Sequence, residues 1–250
     1  MLSINNLTKT YRGSSKGVHE VSLEIESGDI YGFIGPNGAG KTTLFNLITG
    51  IIKPDSGRVL FNNEDITGLP PYKICRKHIS RSFQIVNVFQ RLTVFENVQI
   101  SILSREKKTW NLFSPSKSFV VKETETILEN VGLINKKERI TAFLSHGDRK
   151  VLEIAMALGG SPEFLILDEP TAGMAPEETS HCIELIKTLS KTMGLTILFC
   201  EHDMEIVFRI ANRIMVMVRG STVIQGSCNE VRCNEAVQNA YLGGSDVCLM

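Results

Sequence analysis

The 250-residue sequence has no apolar run approaching the ~18–20 residues that cross a bilayer as a helix. Its first residues, MLSINNLTKTYRG, lack the charged-then-apolar pattern of a secretory signal. Charge of either sign is not in excess: 27 basic residues balance 27 acidic ones, and no long basic tract gives an electrostatic footprint for nucleic acid. The six cysteines (Cys75, Cys182, Cys200, Cys228, Cys233 and Cys248) form no C-x-x-C pair and no zinc-like spacing with histidine. They are expected to be reduced structural thiols. Tryptophan occurs once, at Trp110, where a local packing role is expected. No internal repeat of solenoid length and no low-complexity segment is present. The chain is therefore expected to be soluble and cytoplasmic, with any membrane role running through a partner. With 42% hydrophobic residues it can build a substantial core.

What is present alternates in kind along the chain. Val21, Leu23 and Ile25 are spaced by two, and RVLFNN (58–63) is a second short strand, so the first third predicts an antiparallel sheet with one wet face. The runs IYGFIG (30–35), FLILDEP (164–170) and TILFCEH (196–202) are continuously apolar. That texture fits strands of a parallel sheet buried on both faces. Helical patterns follow two of them, KTTLFNLITG (41–50) and PEETSHCIELIKTLSKTMG (176–194), the latter stopped by Gly194. The alternation predicts an α/β core. Residues 88–155 read as a helical subdomain, with a polar stretch at 101–125. A hairpin turning at Arg219-Gly220 and a helix with a tail over 227–250 close the chain, which is expected to be one domain.

GPNGAGKTT (35–43) matches G-x-x-x-x-G-K-S/T between a buried strand and a helix, the context that confirms a phosphate loop. Gly35, Gly38 and Gly40 permit backbone angles and close approach that other residues resist. The amides of Gly35, Pro36's neighbour Asn37, Gly38, Ala39, Gly40, Lys41, Thr42 and Thr43 can surround phosphate oxygens at the positive end of the helix. Lys41 is expected to reach the β- and γ-phosphates and the Thr42 hydroxyl to ligate Mg²⁺. Asp168, ending a buried strand, is the second expected metal ligand. Glu169 beside it suits general-base activation of water. The plainer reading of these two acids is a cap for the following helix.

In order along the chain, GPNGAGKTT, Gln84 in RSFQ, LSHGD before a helix, LILDEP and His202 in CEHD resemble an ABC-type ATPase subunit, over essentially the whole length. The resemblance implies a P-loop NTPase fold: a mostly parallel core sheet, an N-terminal antiparallel subdomain and a helical subdomain. It implies that Tyr11 stacks on adenine. Gln84 would sense Mg²⁺ or the attacking water, as catalytic and metal-site residue together. His202 would hydrogen-bond the γ-phosphate. Ser145 and Gly147 would contact the γ-phosphate held by a second chain. The plainer alternatives are that Tyr11 closes the sheet, Gln84 is a surface residue and His202 starts a helix.

HISRSFQ, LTVFENV, LEIAMAL, EPTAGMAPEET, EHDM and AYLGG are similar to the ATP-binding subunits of branched-chain amino-acid importers, and to those energising uptake of urea, amides or hydrophobic compounds. That family implies ATP and Mg²⁺ as ligands and a homodimer or heterodimer of ATPase subunits. It also implies two membrane permease subunits, an external solute-binding protein, and a place on the cytoplasmic face of the inner membrane. The ATPase of a lipopolysaccharide-extraction transporter is the alternative, and a DNA-acting ABC ATPase a remote one. Two departures stand out. His146 and Asp148 replace a glycine and the glutamine of an L-S-G-G-Q-like signature, and Ala175 stands where S-A-L-D has its aspartate. Ser145, His146 and Asp148 are too close along the chain for a hydrolase triad. Instead, Ser145 with Asp148 resembles a capping box at a helix start.

Overall fold

A computed structural model describes residues 1–11, 14–82, 88–105 and 117–237. Gln84, Trp110, Cys248 and the AYLGG segment lie outside the described residues. The strands in chain order are β1 (Leu2–Tyr11), β2 (Ser14–Ile25), β3 (Ile30–Ile34), β4 (Ser56–Phe61), β5 (Glu64–Asp65), β6 (Ile79–Arg81), β7 (Phe164–Asp168), β8 (Thr196–Cys200), β9 (Arg213–Val218) and β10 (Ser221–Ser227). The helices are α1 (Lys41–Ile48), α2 (Pro71–Cys75), α3 (Val94–Arg105), α4 (Lys117–Asn130), α5 (His146–Gly159), α6 (Pro176–Met193), α7 (Met204–Ile210), α8 (Cys228–Arg232) and α9 (Glu235–Val237). Two compact units divide them, one of residues 1–74 with those from 196 onward, the other of residues 75–195.

In the first unit, β2-β1-β4-β5 is the antiparallel sheet that the period of two predicts. Val21, Leu23 and Ile25 are buried while Ser22 and Glu24 between them are exposed. The core strands here run β10-β9-β3-β8, with β3 parallel to both β8 and β9 and only the β9–β10 hairpin antiparallel. Every residue of β3 and β8 is buried. The cause is visible on β3, because adjacent residues of a strand face opposite ways. Phe33 stacks on Phe45 of α1, ring centroids 5.6 Å apart. At Gly32 an added Cβ would come within 2.7 Å of Val207 on α7. Arg219 and Gly220 both take positive φ, 50° and 86°, as a two-residue hairpin turn requires.

In the second unit, β6 and β7 pair in parallel, Ile79↔Phe164 through Arg81↔Ile166. The helices expected between 88 and 155 are α3, α4 and α5. They crowd closely: a Cβ on Gly159 of α5 would meet the Ser101 hydroxyl of α3 at 2.0 Å. α6 buries Cys182, Ile183, Ile186 and Leu189 on one face and ends at Gly194 in the left-handed region. Each such aliphatic side chain contributes about 1.5–3 kcal/mol on burial.

Within the described residues, the C-terminal helix expected over 227–250 is interrupted. α8 ends at Arg232, and Asn234 accepts from the Val237 amide at 3.2 Å to cap the short α9. An asparagine competes with its own backbone for that hydrogen bond and so interrupts an otherwise helical pattern. Among the described residues no helix is long and apolar enough to cross a membrane.

Candidate functional site

The first unit builds the phosphate loop between β3 and α1. Gly38 and Gly40 take φ of 80° and 104°, angles that disfavour a side chain. Gly35 is required for a different reason: a Cβ there would lie 2.5 Å from the Met217 carbonyl oxygen and 2.7 Å from Ala39 Cβ. The Ala39 amide donates to Pro36 O at 3.0 Å, and Ala39 O accepts from the Gly220 amide at 2.9 Å, so the β9–β10 turn buttresses the loop. Lys41 is only 7% exposed. Its ammonium donates to the carbonyls of Gly35 and Pro36, which places the charge across the mouth of its own loop. Gly40 is the N-cap of α1 and brings no side chain to the helix start. Pro36, Asn37, Gly38 and Thr42 are exposed and Thr43 half-buried.

Tyr11 ends β1 opposite Ser14 with a third of its surface exposed. His202 is exposed and immediately precedes Asp203. Asp203, not His202, caps α7, accepting from the Glu205 amide at 2.8 Å.

The second unit carries the acids. β7 delivers Asp168, which is 2% exposed, and the neighbouring strand delivers Arg81, whose Nη2 lies 2.7 Å from Asp168 Oδ2. Both side chains of that ion pair are buried. Glu169 follows at φ 51°, a left-handed conformation that non-glycine residues seldom adopt. Such strain costs on the order of 1–3 kcal/mol and concentrates at functional positions. The Glu169 carbonyl accepts from the Ala172 amide at 3.2 Å, and Lys150 Nζ stands 3.4 Å from it. Neither acid caps the next helix. Glu178 does that, its Oε2 accepting from the Ala175 amide at 3.2 Å.

Ser145 is the N-cap of α5, as expected, its hydroxyl accepting from the Asp148 amide at 3.1 Å. The capping box is only half made. Lys136 takes both Asp148 carboxylate oxygens at 2.7 and 2.6 Å, drawing the side chain away from the Ser145 amide. His146 Nε2 lies 3.1 Å from the Ala172 carbonyl, a contact that needs the proton on Nε2. The two departures from the usual signature therefore have structural employment: His146 clasps the 172–175 loop and Asp148 anchors Lys136. Ser145 Oγ also donates to Glu178 Oε1 at 3.1 Å, and Gly147 is buried with the Glu178 carboxyl group 2.6–2.9 Å from where its Cβ would be.

The expected site residues thus fall into two sets. The phosphate loop, Tyr11 and His202 belong to the first unit; Asp168, Glu169, Ser145 and Gly147 belong to the second; Gln84 is outside the described residues. Arg81 and Glu178 escaped the sequence reading. The loop fits a polyphosphate: its glycines are forced by backbone proximity and angle, and a buried ammonium lies over its carbonyls. Among the described residues no group of three or more His, Cys, Asp or Glu could hold a metal. Hard oxygen donors such as the Thr42 hydroxyl and the Asp168 carboxylate are of the kind that Mg²⁺ takes.

A family model described as "ABC transporter" matches residues 18–172. The chain is 39% identical over 252 residues to the high-affinity branched-chain amino acid transport ATP-binding protein LivG of Escherichia coli, covering 97% of this chain and 98% of that protein. Among solved structures, it is similar to the ADP conformation of MJ1267, an ATP-binding cassette of an ABC transporter (TM-score 0.85, 32% identity, 97% of this chain, 98% of that one). It is also similar to a dimeric post-hydrolysis state of the cassette MJ0796 bound to ADP and Pi (TM-score 0.77, 26% identity, 91% and 99%).

Proposed function

Because the chain belongs to the ABC transporter family, we propose that it is the ATP-hydrolysing subunit of an importer of branched-chain amino acids or a related small solute such as urea, an amide or a hydrophobic compound. The end-to-end likeness to LivG carries this reading. It works as a pair, with itself or with a related chain, beneath two membrane permeases on the cytoplasmic face and fed by an external binding protein. The solute meets those other subunits and not this one.

Each residue then has a task. Tyr11 stacks on the adenine. The backbone N–H groups of Gly35 and residues 37–43 and the Lys41 ammonium hold the phosphates, Lys41 exchanging its carbonyl partners for phosphate oxygens. Thr42, Asp168 and Gln84 would hold Mg²⁺, which would supply charge neutralisation to the phosphates. Arg81 fixes one oxygen of Asp168 and so orients the other. Glu169 accepts a proton from water as its oxygen attacks the γ-phosphorus; the bond to the bridging oxygen breaks, giving ADP and phosphate. His202 donates to the γ-phosphate. Ser145 and Gly147 of the second chain close the site over it, at a helix start suited to an anion.

Phosphate release by the purified chain tests this. Glu169→Gln is expected to lower hydrolysis about 10²–10⁴-fold, the worth of a general base, while nucleotide binding persists. Hydrolysis at the unmodified rate would remove Glu169 from that role.

A further inference from the structure

A carboxylate lies against the start of α5, where the composite-site reading puts a neighbour's phosphate. Glu178 Oε1 accepts the Ser145 hydroxyl proton at 3.1 Å, and its carboxyl group covers Gly147 so closely that a methyl group there would be 2.6–2.9 Å from it. Its other oxygen accepts the Ala175 amide at 3.2 Å. One carboxylate thus bridges the starts of α5 and α6, and the His146–Ala172 contact holds the intervening loop against the signature. A helix start favours a negative charge, so the arrangement is stable within a single chain. It is incompatible with a phosphate in the same slot. A serine hydroxyl has one proton to donate, and two anions so placed repel.

We propose that Glu178 is the resident anion of the signature half-site. Its carboxylate occupies Ser145 and Gly147 in the separate chain and is displaced by the γ-phosphate that a second chain brings. This rests on the composite-site reading of the pair. The consequence is a threshold: ATP-driven pairing must overcome the docked carboxylate, and the apparent affinity falls with the fraction of chains whose slot is open.

Glu178→Gln separates this role from simple helix capping, because glutamine caps a helix start as glutamate does but carries no charge. In a Glu169→Gln background, which arrests hydrolysis, pair formation is followed by light scattering as ATP is raised. Glu178→Gln is expected to lower the half-maximal ATP concentration about 3- to 10-fold, as an increase in the open fraction dictates. The affinity of the separate chain for a fluorescent ATP analogue should stay unchanged. Glu178→Ala, which loses the cap as well, is expected to shift the half-point the same way despite a lower unfolding temperature. An unchanged or raised half-point in Glu178→Gln, with analogue binding intact, would overturn the inference alone. Failure of the unmodified chain to bind the analogue would overturn the composite-site reading and this inference with it.

Discussion

Two helix starts in this molecule read alike as anion sites and are built in opposite ways. α1 begins at Gly40, which has no side chain, after a loop in which a Cβ at Gly35 would clash with the Met217 carbonyl. α5 begins at Ser145, which caps it, and a glutamate from the next helix lies over its first turn. At the first start no side chain caps the helix, and the neighbouring Lys41 ammonium brings a positive charge to the loop. The second holds a substitute anion of its own. A site that must bind nucleotide in the separate chain suits the first construction. A site that should engage only when a nucleotide-loaded partner arrives suits the second.

That contrast orders the expected effects of substitution. Lys41→Ala removes the loop's buried ammonium and is expected to lower phosphate release about 10²–10³-fold, the scale of losing one transition-state donor. An effect below tenfold would make the first start no more demanding than the second. Gly40→Ala puts a side chain at φ 104° with its Cβ 2.5 Å from the Gly17 carbonyl. It is expected to cost about 2–3 kcal/mol in denaturant unfolding. Ser145→Ala removes a cap and is expected to cost about 1 kcal/mol by the same measurement, with analogue binding by the separate chain unaffected. Asp148→Asn breaks a partly exposed pair with Lys136, and the expected change in stability is under about 1 kcal/mol. If Asp148→Asn instead matched Lys41→Ala in lost hydrolysis, the Lys136 anchor would not be the whole of its employment.

The parts legible in the sequence are those fixed by contiguous residues. The phosphate loop is one strand-loop-helix segment, so its motif and its context lie side by side. The hairpin at Arg219-Gly220 and the stop at Gly194 are equally local. Contacts across long separations left no such mark. Arg81 and Asp168 are 87 positions apart and meet because β6 and β7 pair. The reason for Gly35 lies at Met217. Glu178 reads along the chain as an N-terminal helix acid, which it is; its second contact, with Ser145, depends on how α5 and α6 pack. Asp148 has the sequence spacing of half a capping box. Lys136 competes for its carboxylate, and no local pattern announces that.

In the proposed pair, the α1 start of one chain and the α5 start of another make one catalytic site. Mixing a Lys41→Ala chain with a Ser145→Ala,Gly147→Ala chain tests it most directly. Each alone should release phosphate at a strongly reduced rate, whereas the mixed pair should recover hydrolysis because it contains one site with both halves intact. No recovery, with exchange of labelled chains proving that mixed pairs form, would contradict the shared site.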